Sequence, residues 1–554
     1  MQELKEALKK ACQTSFGVDI DPELIRPEEK FGDYATNVAL QLGKHLGKNP
    51  REVAEQLTAD LKELPMLAKR DVAGPGFINF TLTDRVLFEA VATATTLPKP
   101  LSDQEIVLEH TDPNPFKEFH IGHSYSNTIG VAIGKLFQVS GAKVHQVTYQ
   151  GDVGLHIAMA IYGMKKLHEN REGRPLSNIR GGDWPAFVDF GRGYAEGALT
   201  YKNDPVAKKE IEHINVQVYS RESTEINELY DEGRKRSLEE FEKIYHRLGS
   251  VFEKNYFESD TAEEGMRVVK QNTGKIFEES DGAVIYDGEK AGLHKRVFIT
   301  NRGLPTYEAK EIGLAFAKER DYPNAQSFVV ITANEVDEYF KVLVAAIKEI
   351  DKQLGSKIRH LSHGVVRFPE GKMSSRTGKV KTFTDLQSDV EEKVRKLYGE
   401  GKDTPETVLG AIKYEFLKHR VGSDFIFDVD ESISLQGNSG PYLQYAHARA
   451  CSILQKAGNA TPEQVPEKFD KDERSLARKL SEYPEVVQKA TAELMPHHIC
   501  TYLYELAQTF NSFYESSRII GNEREALRLG LVKSYQEVLK NGLGLLNIAA
   551  PESM

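Results

Sequence analysis

Residues 120–123 of the chain read HIGH, a pattern that could bind phosphate. At helical spacing His120 and His123 lie on one face of a turn, and both side chains can donate hydrogen bonds to phosphate oxygens. Gly122 lacks a Cβ atom, so a flat ring such as a nucleobase could approach the backbone there. The pattern predicts a nucleotide site, although taken alone it is more typical of two histidines that cap a helix.

A second stretch, GKMSSRTGK at residues 371–379, is basic and is flanked by glycines. Such a loop could close over the negative charges of a triphosphate. Taken alone it is more typical of a solvated basic loop. The case for a nucleotide site therefore depends on the two stretches occurring together.

The elements around the histidines favour the same interpretation. Residues 106–108 (IVL) predict a buried strand, and a turn with two prolines separates this strand from a helix that contains SYSNTIGVAIGKLF. Residues 142–154 return as a second strand, and Asp152 lies in its glycine-rich turn, where a ribose could approach. This order predicts a βαβ unit, in which an anionic ligand binds at the positive end of the helix.

In this order, the two stretches resemble the HIGH and KMSKS signatures of class I aminoacyl-tRNA synthetases. Further stretches resemble the arginyl-tRNA synthetases in particular: PNPFKEFHIGH, FGDYATNVAL (31–40), GPGFINFTL (74–82), PYLQYAHARACSIL (441–454) and the closing PESM. The resemblance runs over the whole chain and is thinnest at about residues 155–290.

The resemblance implies an arginine–tRNA ligase that takes L-arginine, ATP with Mg²⁺ and tRNA(Arg). The arginine carboxylate would attack the α-phosphorus of ATP, and a terminal ribose hydroxyl would then accept the arginyl group. Positioning and charge stabilisation would do most of the catalytic work. The implied catalytic residues are Lys117, His120, Gly122, His123, Lys372, Met373, Ser374, Ser375 and Arg376.

The resemblance also implies an arginine pocket, since a guanidinium group prefers carboxylates in bidentate geometry. Its residues would be Glu109, Asp112, Asn114, Tyr307, Glu311 and Asn334. Glu109 ends one predicted strand and Glu311 begins a helix after another, so the two can converge. Tyr307 lies one turn before Glu311, on the same face of that helix. Two positions depart from the family, which usually has Asp in place of Glu311 and a small polar residue in place of Asp112.

A third departure concerns the basic loop. Ser375 occupies the position of the second lysine of the KMSKS signature, and a serine cannot supply its charge. Arg376 follows, but its planar fork differs from an ammonium point charge. Some members of the family with this gap carry a lysine just before the first histidine, as Lys117 does here. We therefore expect Lys117 to replace the missing lysine, the alternative being a solvated loop residue paired with Glu118.

For tRNA, the resemblance implies contacts from the first domain and from the last. The expected residues are Phe31, Tyr34, Asn37, Gln436, Asn438, Tyr442, Gln444, Tyr445, His447, Arg449 and Met554. Asp33, between two of them, is also a possible helix N-cap. Most aromatic residues of the last domain have the spacing of a helical core, but some should face unstacked bases.

The expected fold is multidomain. Residues 1–100 would form a small α+β tRNA-binding domain with a linker, and residues 101–383 a Rossmann-type catalytic domain with a connective insertion at about 155–290. Residues 384–554, whose patterns are almost wholly helical, would form an all-α anticodon-binding bundle.

Composition is compatible with this interpretation but does not suggest it. The chain of 554 residues has a net charge of −11, concentrated between its two nearly neutral ends, so charge alone does not predict RNA binding. No apolar run reaches the ~18 residues that cross a bilayer. The three cysteines are far apart, which predicts no structural zinc site and fits the cytoplasm. We expect a monomer without membrane association.

Two alternatives remain at this stage. One is a class I synthetase for a different amino acid. The other is a catalytically silent tRNA-binding relative, although such a protein would be expected to lose the histidines or the lysine loop, and this chain keeps both.

Overall fold

A computed structural model describes residues 2–61, 64–172, 190–369, 381–458 and 468–554. The first region combines helices with a small antiparallel sheet. Its elements are α1 (Gln2–Phe16), β1 (Tyr34–Thr36), α2 (Val38–Leu46), α3 (Pro50–Asp60), β2 (Leu67–Ala73), β3 (Phe77–Leu82) and α4 (Asp84–Ala92). The strand order is β1-β3-β2, and β2 and β3 pair as an antiparallel hairpin.

The second region contains the parallel sheet that the βαβ pattern predicts. Its elements up to residue 248 are β4 (Glu105–Glu109), α5 (Ile121–Val139), β5 (Lys143–Gln150), α6 (Leu155–Glu172), α7 (Phe190–Asn203), α8 (Pro205–Ser220) and α9 (Thr224–Leu248). They continue with β6 (Lys254–Phe257), α10 (Glu258–Gln271), β7 (Phe277–Ser280), β8 (Ala283–Tyr286), β9 (Arg296–Ile299), α11 (Tyr307–Asp321), β10 (Ser327–Ala333), α12 (Asp337–Ile350), α13 (Lys352–Lys357), β11 (Ile358–His363) and β12 (Val366–Arg367).

The parallel sheet has the order β11-β10-β4-β5-β6. The central strand β4 is apolar and buried at Ile106, Val107 and Leu108, as a strand covered on both faces requires. The chain runs from β4 outward through β5 and β6 and later returns on the other side of β4 through β10 and β11. Strand order therefore reverses between β4 and β10, and ligands of open α/β sheets bind at the carboxyl ends of such strands. The α/β class predicted for this region is confirmed.

The third region is helical, as predicted. Its elements are α14 (Phe383–Tyr398), α15 (Pro405–Leu417), β13 (Phe425–Ile426), α16 (Val429–Ser432), α17 (Gly440–Ala457), α18 (Lys471–Ser481), α19 (Tyr483–Glu493), α20 (His497–Ser516) and α21 (Glu525–Leu545). The short β13 pairs with β12 of the second region. One hydrophobic core extends from α1 through α5 to α21 and joins the regions.

A buried cluster of ion pairs joins the first region to α18 of the helical bundle. Asp33 is fully buried, and its carboxylate accepts hydrogen bonds from Arg474 at 2.7 Å and from the Leu82 backbone at 2.7 Å. Arg478 approaches the same carboxylate at 3.4 Å. The expectation that Asp33 caps a helix is therefore wrong, since two arginines of α18 bind its charge.

In the part of the chain that the structure describes, no helix is both long and apolar enough to cross a membrane.

Candidate functional site

The loop after β4 has a strained backbone. Thr111, Asp112 and Phe116 have φ values of 83°, 41° and 65°, which side-chain-bearing residues rarely adopt. Such strain persists only where surrounding contacts impose it, and it is concentrated at functional sites. The loop that leads to the two histidines is therefore held in one shape by its neighbours.

Phe116 anchors this loop in the insertion. Its side chain is fully buried, and its ring packs edge-on against Phe190 of α7 at 5.6 Å and stacks on Tyr230 of α9 at 6.2 Å. Its backbone N–H donates to Ser237 Oγ at 2.9 Å. Removing a ring buried in this way typically costs about 3–5 kcal/mol. Helices α7 and α9 thus hold Phe116, and with it the loop that leads to the histidines, in place.

The histidines lie at the start of α5. His120 is the N-cap residue, its N–H donates to His123 Nδ1 at 3.3 Å, and the two rings stack with centroids 3.7 Å apart. Burial lowers the pKa of His120 to about 4 and also lowers that of His123, and the charge of Lys117 contributes to both shifts. Both rings are consequently neutral near pH 7 and can each offer one N–H donor.

Gly122 has a different role from the one expected. A Cβ atom at this position would lie 3.0 Å from the His120 ring. The space that the missing side chain leaves is therefore filled by the His120 imidazole, and not by an open approach for a nucleobase.

The turn that carries the histidines is hydrogen-bonded to the start of α14. His120 and Thr382 form an antiparallel bridge, Ile121 N–H donates to Lys381 O at 3.3 Å, and Phe383 N–H donates to Phe119 O at 3.1 Å. Two elements far apart in sequence thus begin from one shared turn. Lys372, Met373, Ser374, Ser375 and Arg376 precede it in the chain and lie outside the described residues.

Lys117 lies beside the histidines, as expected. Its charge lowers the pKa of His120 and His123 and also acts on Glu258. Its ammonium nitrogen lies 4.8 Å from the centre of the Tyr194 ring of α7. The lysine therefore brings a positive charge close to the turn that carries the histidines.

Carboxyl groups converge at the end of β4. Glu109 forms a buried ion pair with Lys318 of α11, in which the side chains are 2% and 4% exposed. Glu311 lies two turns before Lys318 on the same helix, and the two line a small cavity together with Phe328 and Val330 of β10. Burial and the charge of Glu109 raise the pKa of Glu311 well above its ordinary value, while Lys318 acts in the opposite direction. A bound cation would stabilise the ionised form of Glu311.

Asp112 also belongs to this group, but its oxygens serve the fold. Its Oδ1 accepts hydrogen bonds from Tyr149 N–H at 2.7 Å and from Thr148 Oγ1 at 3.1 Å. Burial and the charge of Glu109 raise the pKa of Asp112. Asp112 therefore ties the strained loop to β5.

The other expected pocket residues lie at the same edge of the sheet or facing it. Asn114 Oδ1 accepts from Gly151 N–H at 3.1 Å, just after β5, and Asn334 is half-buried immediately after β10. Tyr307 begins α11 and is 57% exposed, with the Lys310 ammonium 4.5 Å from its ring centre. Glu311 follows Tyr307 by one turn, as predicted.

Three charged features of the site were not predicted. Lys318 neutralises Glu109, and a second buried ion pair joins Lys310 to Glu258. Asp152, expected to meet a ribose, is fully buried and accepts from Arg234, Tyr230 and Ser259 instead. The signal for Lys318 was available in the sequence, because seven residues after Glu311 is the same face of a helix.

Part of the expected tRNA-binding set forms an exposed surface on α17. Tyr442, Tyr445 and Arg449 have the spacing of one helical face, and Tyr445 is 47% exposed. The Arg449 guanidinium lies 4.4 Å from the ring centre of Tyr514, and the Tyr442 hydroxyl accepts from Asn511 at 2.9 Å. Aromatic rings and guanidinium planes of this kind are surfaces on which bases stack.

Gln444 and His447, on the opposite face of α17, are fully buried. The Gln444 amide donates to the backbone carbonyls of Glu406 and Ala549 at 3.0 Å. His447 Nδ1 donates to Pro551 O at 2.8 Å, and its Nε2 accepts from Gln536 at 2.7 Å. These two residues bind the segment after α21, so the predicted direct contact with tRNA is not open to them in this structure.

Among the remaining residues predicted to bind tRNA, some are exposed and others contact the rest of the protein. Phe31 is 47% exposed and Met554 is 38% exposed, and Gln436 is also exposed. Asn37 precedes α2, and Asn438 accepts a hydrogen bond from the Tyr414 hydroxyl.

Tyr34 is buried in the contact between the first region and the bundle. Its hydroxyl donates to Glu485 Oε1 at 2.6 Å, and the Arg26 guanidinium lies 3.9 Å from its ring centre. Tyr34 is therefore an interdomain residue, and its predicted role as a tRNA contact is not open to it in this arrangement.

Among the described residues, no cluster of His, Cys, Asp or Glu could hold a metal ion, and the three cysteines are free and buried.

Comparison with known proteins gives matches along almost the whole chain. Residues 2–82 match the family described as arginyl tRNA synthetase N terminal domain. Residues 87–429 match tRNA synthetases class I (R), catalytic domain, and residues 443–554 match the DALR anticodon binding domain.

Individual relatives agree with these families. An arginine–tRNA ligase of Flavobacterium psychrophilum is 31% identical over 480 residues, which cover 82% of this chain and 80% of that protein. One from Synechococcus sp. is 30% identical and covers 100% and 99% of the two chains. The structure of Thermus thermophilus arginyl-tRNA synthetase superposes with a TM-score of 0.81 at 25% identity, over 100% of both chains.

Proposed function

The chain belongs to the arginyl-tRNA synthetase family of class I, and from this premise we propose how its residues perform the reaction. An arginine–tRNA ligase joins L-arginine to tRNA(Arg) at the expense of ATP, which is converted to AMP and pyrophosphate. In the first step an arginine carboxylate oxygen bonds to the α-phosphorus while pyrophosphate leaves. In the second step a terminal ribose hydroxyl of the tRNA takes the arginyl group and AMP leaves.

Lys117, His120 and His123 bind the phosphates of ATP. The support for this assignment is that both imidazoles are neutral N–H donors at the positive end of α5 and lie next to the charge of Lys117. Gly122 allows the His120 ring to lie against the turn. Mg²⁺ arrives with ATP and is held by phosphate oxygens and water, since Mg²⁺ usually keeps several waters.

The leaving pyrophosphate is covered by the basic segment that contains Lys372, Met373, Ser374, Ser375 and Arg376. The bridge between His120 and Thr382 supports this role, because it fixes the point from which the chain enters α14 beside the histidines. This bridge is the single observation that carries the proposal. It supports a common action on one triphosphate by two signatures that are about 250 residues apart in the chain.

L-arginine binds with its guanidinium between Glu109 and Glu311. Ionisation of Glu109, Asp112 and Glu311 leaves two net negative charges after Lys318 is counted, which favours a cationic side chain. The planar guanidinium donates to carboxylate oxygens in pairs. Tyr307, Asn114 and Asn334 complete the pocket around the rest of the amino acid.

The exposed face of α17 (Tyr442, Tyr445 and Arg449) binds unstacked bases of tRNA(Arg), and Phe31 contacts the tRNA from the first region. We assign the domains to residues 1–100, 101–383 and 384–554. The protein acts as a monomer in the cytoplasm, where its substrates occur.

The test is ATP–pyrophosphate exchange in the presence of tRNA. Arginine should support exchange in the wild-type protein, and His123→Ala should reduce it strongly while the protein remains folded. Exchange that depends on another amino acid, or that is unaffected by His123→Ala, would contradict the proposal.

A further inference from the structure

A cavity of about 320 Å³ lies where α5 of the catalytic region meets the helical bundle. Its wall combines one face of α15, the end of α5 and the segment that follows α21. The residues that matter here are Lys135, Glu406, Leu409, Lys413, Asn547 and Ile548. None of them belongs to the ATP or arginine sites described above.

Two lysine side chains line this cavity. Lys413 is 5% exposed, and its ammonium group donates to the backbone carbonyl of Asn547 at 2.8 Å. Lys135 is half-buried. Within the described ranges, neither lysine has a carboxylate within ion-pairing distance. Burial, together with the smaller effect of the charge of Lys135, lowers the pKa of Lys413 to about 7.

Several hydrogen-bond acceptors on this wall already have a donor. Asn547 O accepts from Lys413, and Ala549 O accepts from the Gln444 amide. At the end of α21, Gly544 O accepts from Asn547 N–H. A lysine ammonium has three N–H bonds, and Lys413 uses one of them for Asn547 among the described residues.

The rest of the wall carries one further charged side chain. Helix α15 begins at Pro405 and lines the cavity with one face, from its first turn to Lys413. Glu406 is the one carboxylate on the described part of the wall, and it is exposed and forms no ion pair with either lysine.

We propose that this cavity binds a phosphate group between the ammonium groups of Lys135 and Lys413. Two cations match the charge of about −2 that a phosphate monoester carries at neutral pH, whereas a carboxylate would neutralise only one. The volume exceeds that of phosphate itself, and Leu409 and Ile548 provide an apolar wall for an organic substituent. The inference does not rest on the proposed function.

The position of the cavity suggests what binding would do. Asn547, which receives the hydrogen bond from Lys413, also donates from its amide to Leu248 O at 2.8 Å, at the end of α9. An anion that binds Lys413 would therefore affect the hydrogen bond from Lys413 to Asn547. Through Asn547 it would also affect the contact between the bundle and the end of α9.

The experiment is isothermal titration of the full chain with inorganic phosphate and with phenyl phosphate at pH 7.5, against chloride at equal ionic strength. The variants are Lys135→Met, Lys413→Met and Lys413→Arg, and the control is Lys243→Met, which removes an exposed lysine of α9 that lines neither the cavity nor the ATP site. We expect the phosphate Kd to rise at least about tenfold in both methionine variants and to change little in Lys413→Arg and Lys243→Met. Wild-type binding should also take up protons, because an anion raises the pKa of Lys413.

A second titration, with tRNA at several salt concentrations, separates a small phosphate ester from the RNA backbone as the source of the group. If free phosphates do not bind but the log–log salt slope falls by about one in each methionine variant, the phosphate belongs to RNA.

Should Lys413→Met fail to fold, Lys135→Met decides alone, since its half-buried position tolerates the change. Equal phosphate binding in the wild type and in the methionine variants, with an unchanged tRNA salt slope, would overturn the proposal.

Discussion

The backbones of His120 and Thr382 pair in an antiparallel bridge, so that α5 and α14 begin from one shared turn. Residues 372–376, which lie outside the described residues, precede Thr382 and follow the histidines by more than two hundred residues in the chain. Backbone hydrogen bonds join the two segments at Ile121 and Phe383. Under the proposed function, we therefore expect ATP binding to be coupled to the position of the segment that ends at Thr382.

The first prediction concerns Lys117, which we expect to supply the charge that Ser375 cannot. Lys117→Ala should reduce ATP–pyrophosphate exchange on the order of 100-fold, because loss of a cation that stabilises a transition state costs a few kcal/mol. The KM for arginine should change little. Lys208→Ala is the control, since that lysine also lies over a tyrosine ring, at 5.3 Å, but on α8. Near-normal exchange in Lys117→Ala would assign the charge to Arg376 or Lys379 instead.

The second prediction concerns Glu311. Glu311→Gln should lower kcat/KM for arginine by roughly 30-fold or more, as expected when one partner of a buried charge pair is neutralised. Glu311→Asp, which introduces the residue usual in the family, should retain most activity. Glu319→Gln on the same helix should have no effect, because that carboxylate pairs with Lys357 at 2.7 Å.

Arginine binding should also depend on pH through Glu311. Its pKa is raised by burial and by Glu109, and under the proposed function arginine binds the ionised form. Affinity should therefore be full above this raised pKa and should fall as pH is lowered through it, well above the ordinary glutamate value. The Glu311→Gln variant should lack this part of the pH dependence, which arginine titrations across pH would measure.

The third prediction concerns Lys318, the unpredicted partner of Glu109. Lys318→Met leaves Glu109 buried without its cation and should destabilise the protein by about 3–5 kcal/mol. Lys243→Met, which breaks the exposed pair with Glu240, should cost no more than about 1 kcal/mol. Denaturant unfolding of both variants measures the difference. Equal stabilities would mean that the Lys318–Glu109 pair contributes nothing beyond a surface ion pair.

The fourth prediction separates exposed from buried tyrosines. Tyr445→Ala should weaken tRNA binding roughly tenfold, since stacking of one base on an aromatic ring is worth about 1–3 kcal/mol. Tyr34→Phe should leave tRNA affinity unchanged and lower stability, because its hydroxyl bonds to Glu485. Leu397→Ala, which removes an exposed apolar side chain from α14, is the control for tRNA binding. A larger loss of tRNA affinity in Tyr34→Phe than in Tyr445→Ala would reverse the assignment.

The features of the fold and of the site that depend on local spacing could be predicted from the sequence. Hydrophobic runs and turn residues predicted β4, α5 and β5 in the correct order, and the spacing of His120 and His123 predicted their common face. The same holds for Tyr307 and Glu311, which lie one turn apart on α11.

Long-range partners could not be derived in this way. Asp33 resembled a turn residue, but its carboxylate is bound by Arg474, 441 residues later. Asp152 resembled a ligand residue, but its oxygens are used by Arg234 and Ser259. Which polar side chain remains available to a substrate depends on the partners that tertiary structure brings, and spacing along the chain does not contain that information.

The most direct test of the account is an aminoacylation assay of the purified chain with tRNA(Arg), ATP and Mg²⁺ against each of the twenty amino acids. Arginine should be the amino acid that is esterified to the tRNA, because the charges of Glu109 and Glu311 select a guanidinium group. Charging with lysine or a neutral amino acid at a rate comparable to arginine, or no charging with arginine at all, would contradict the account.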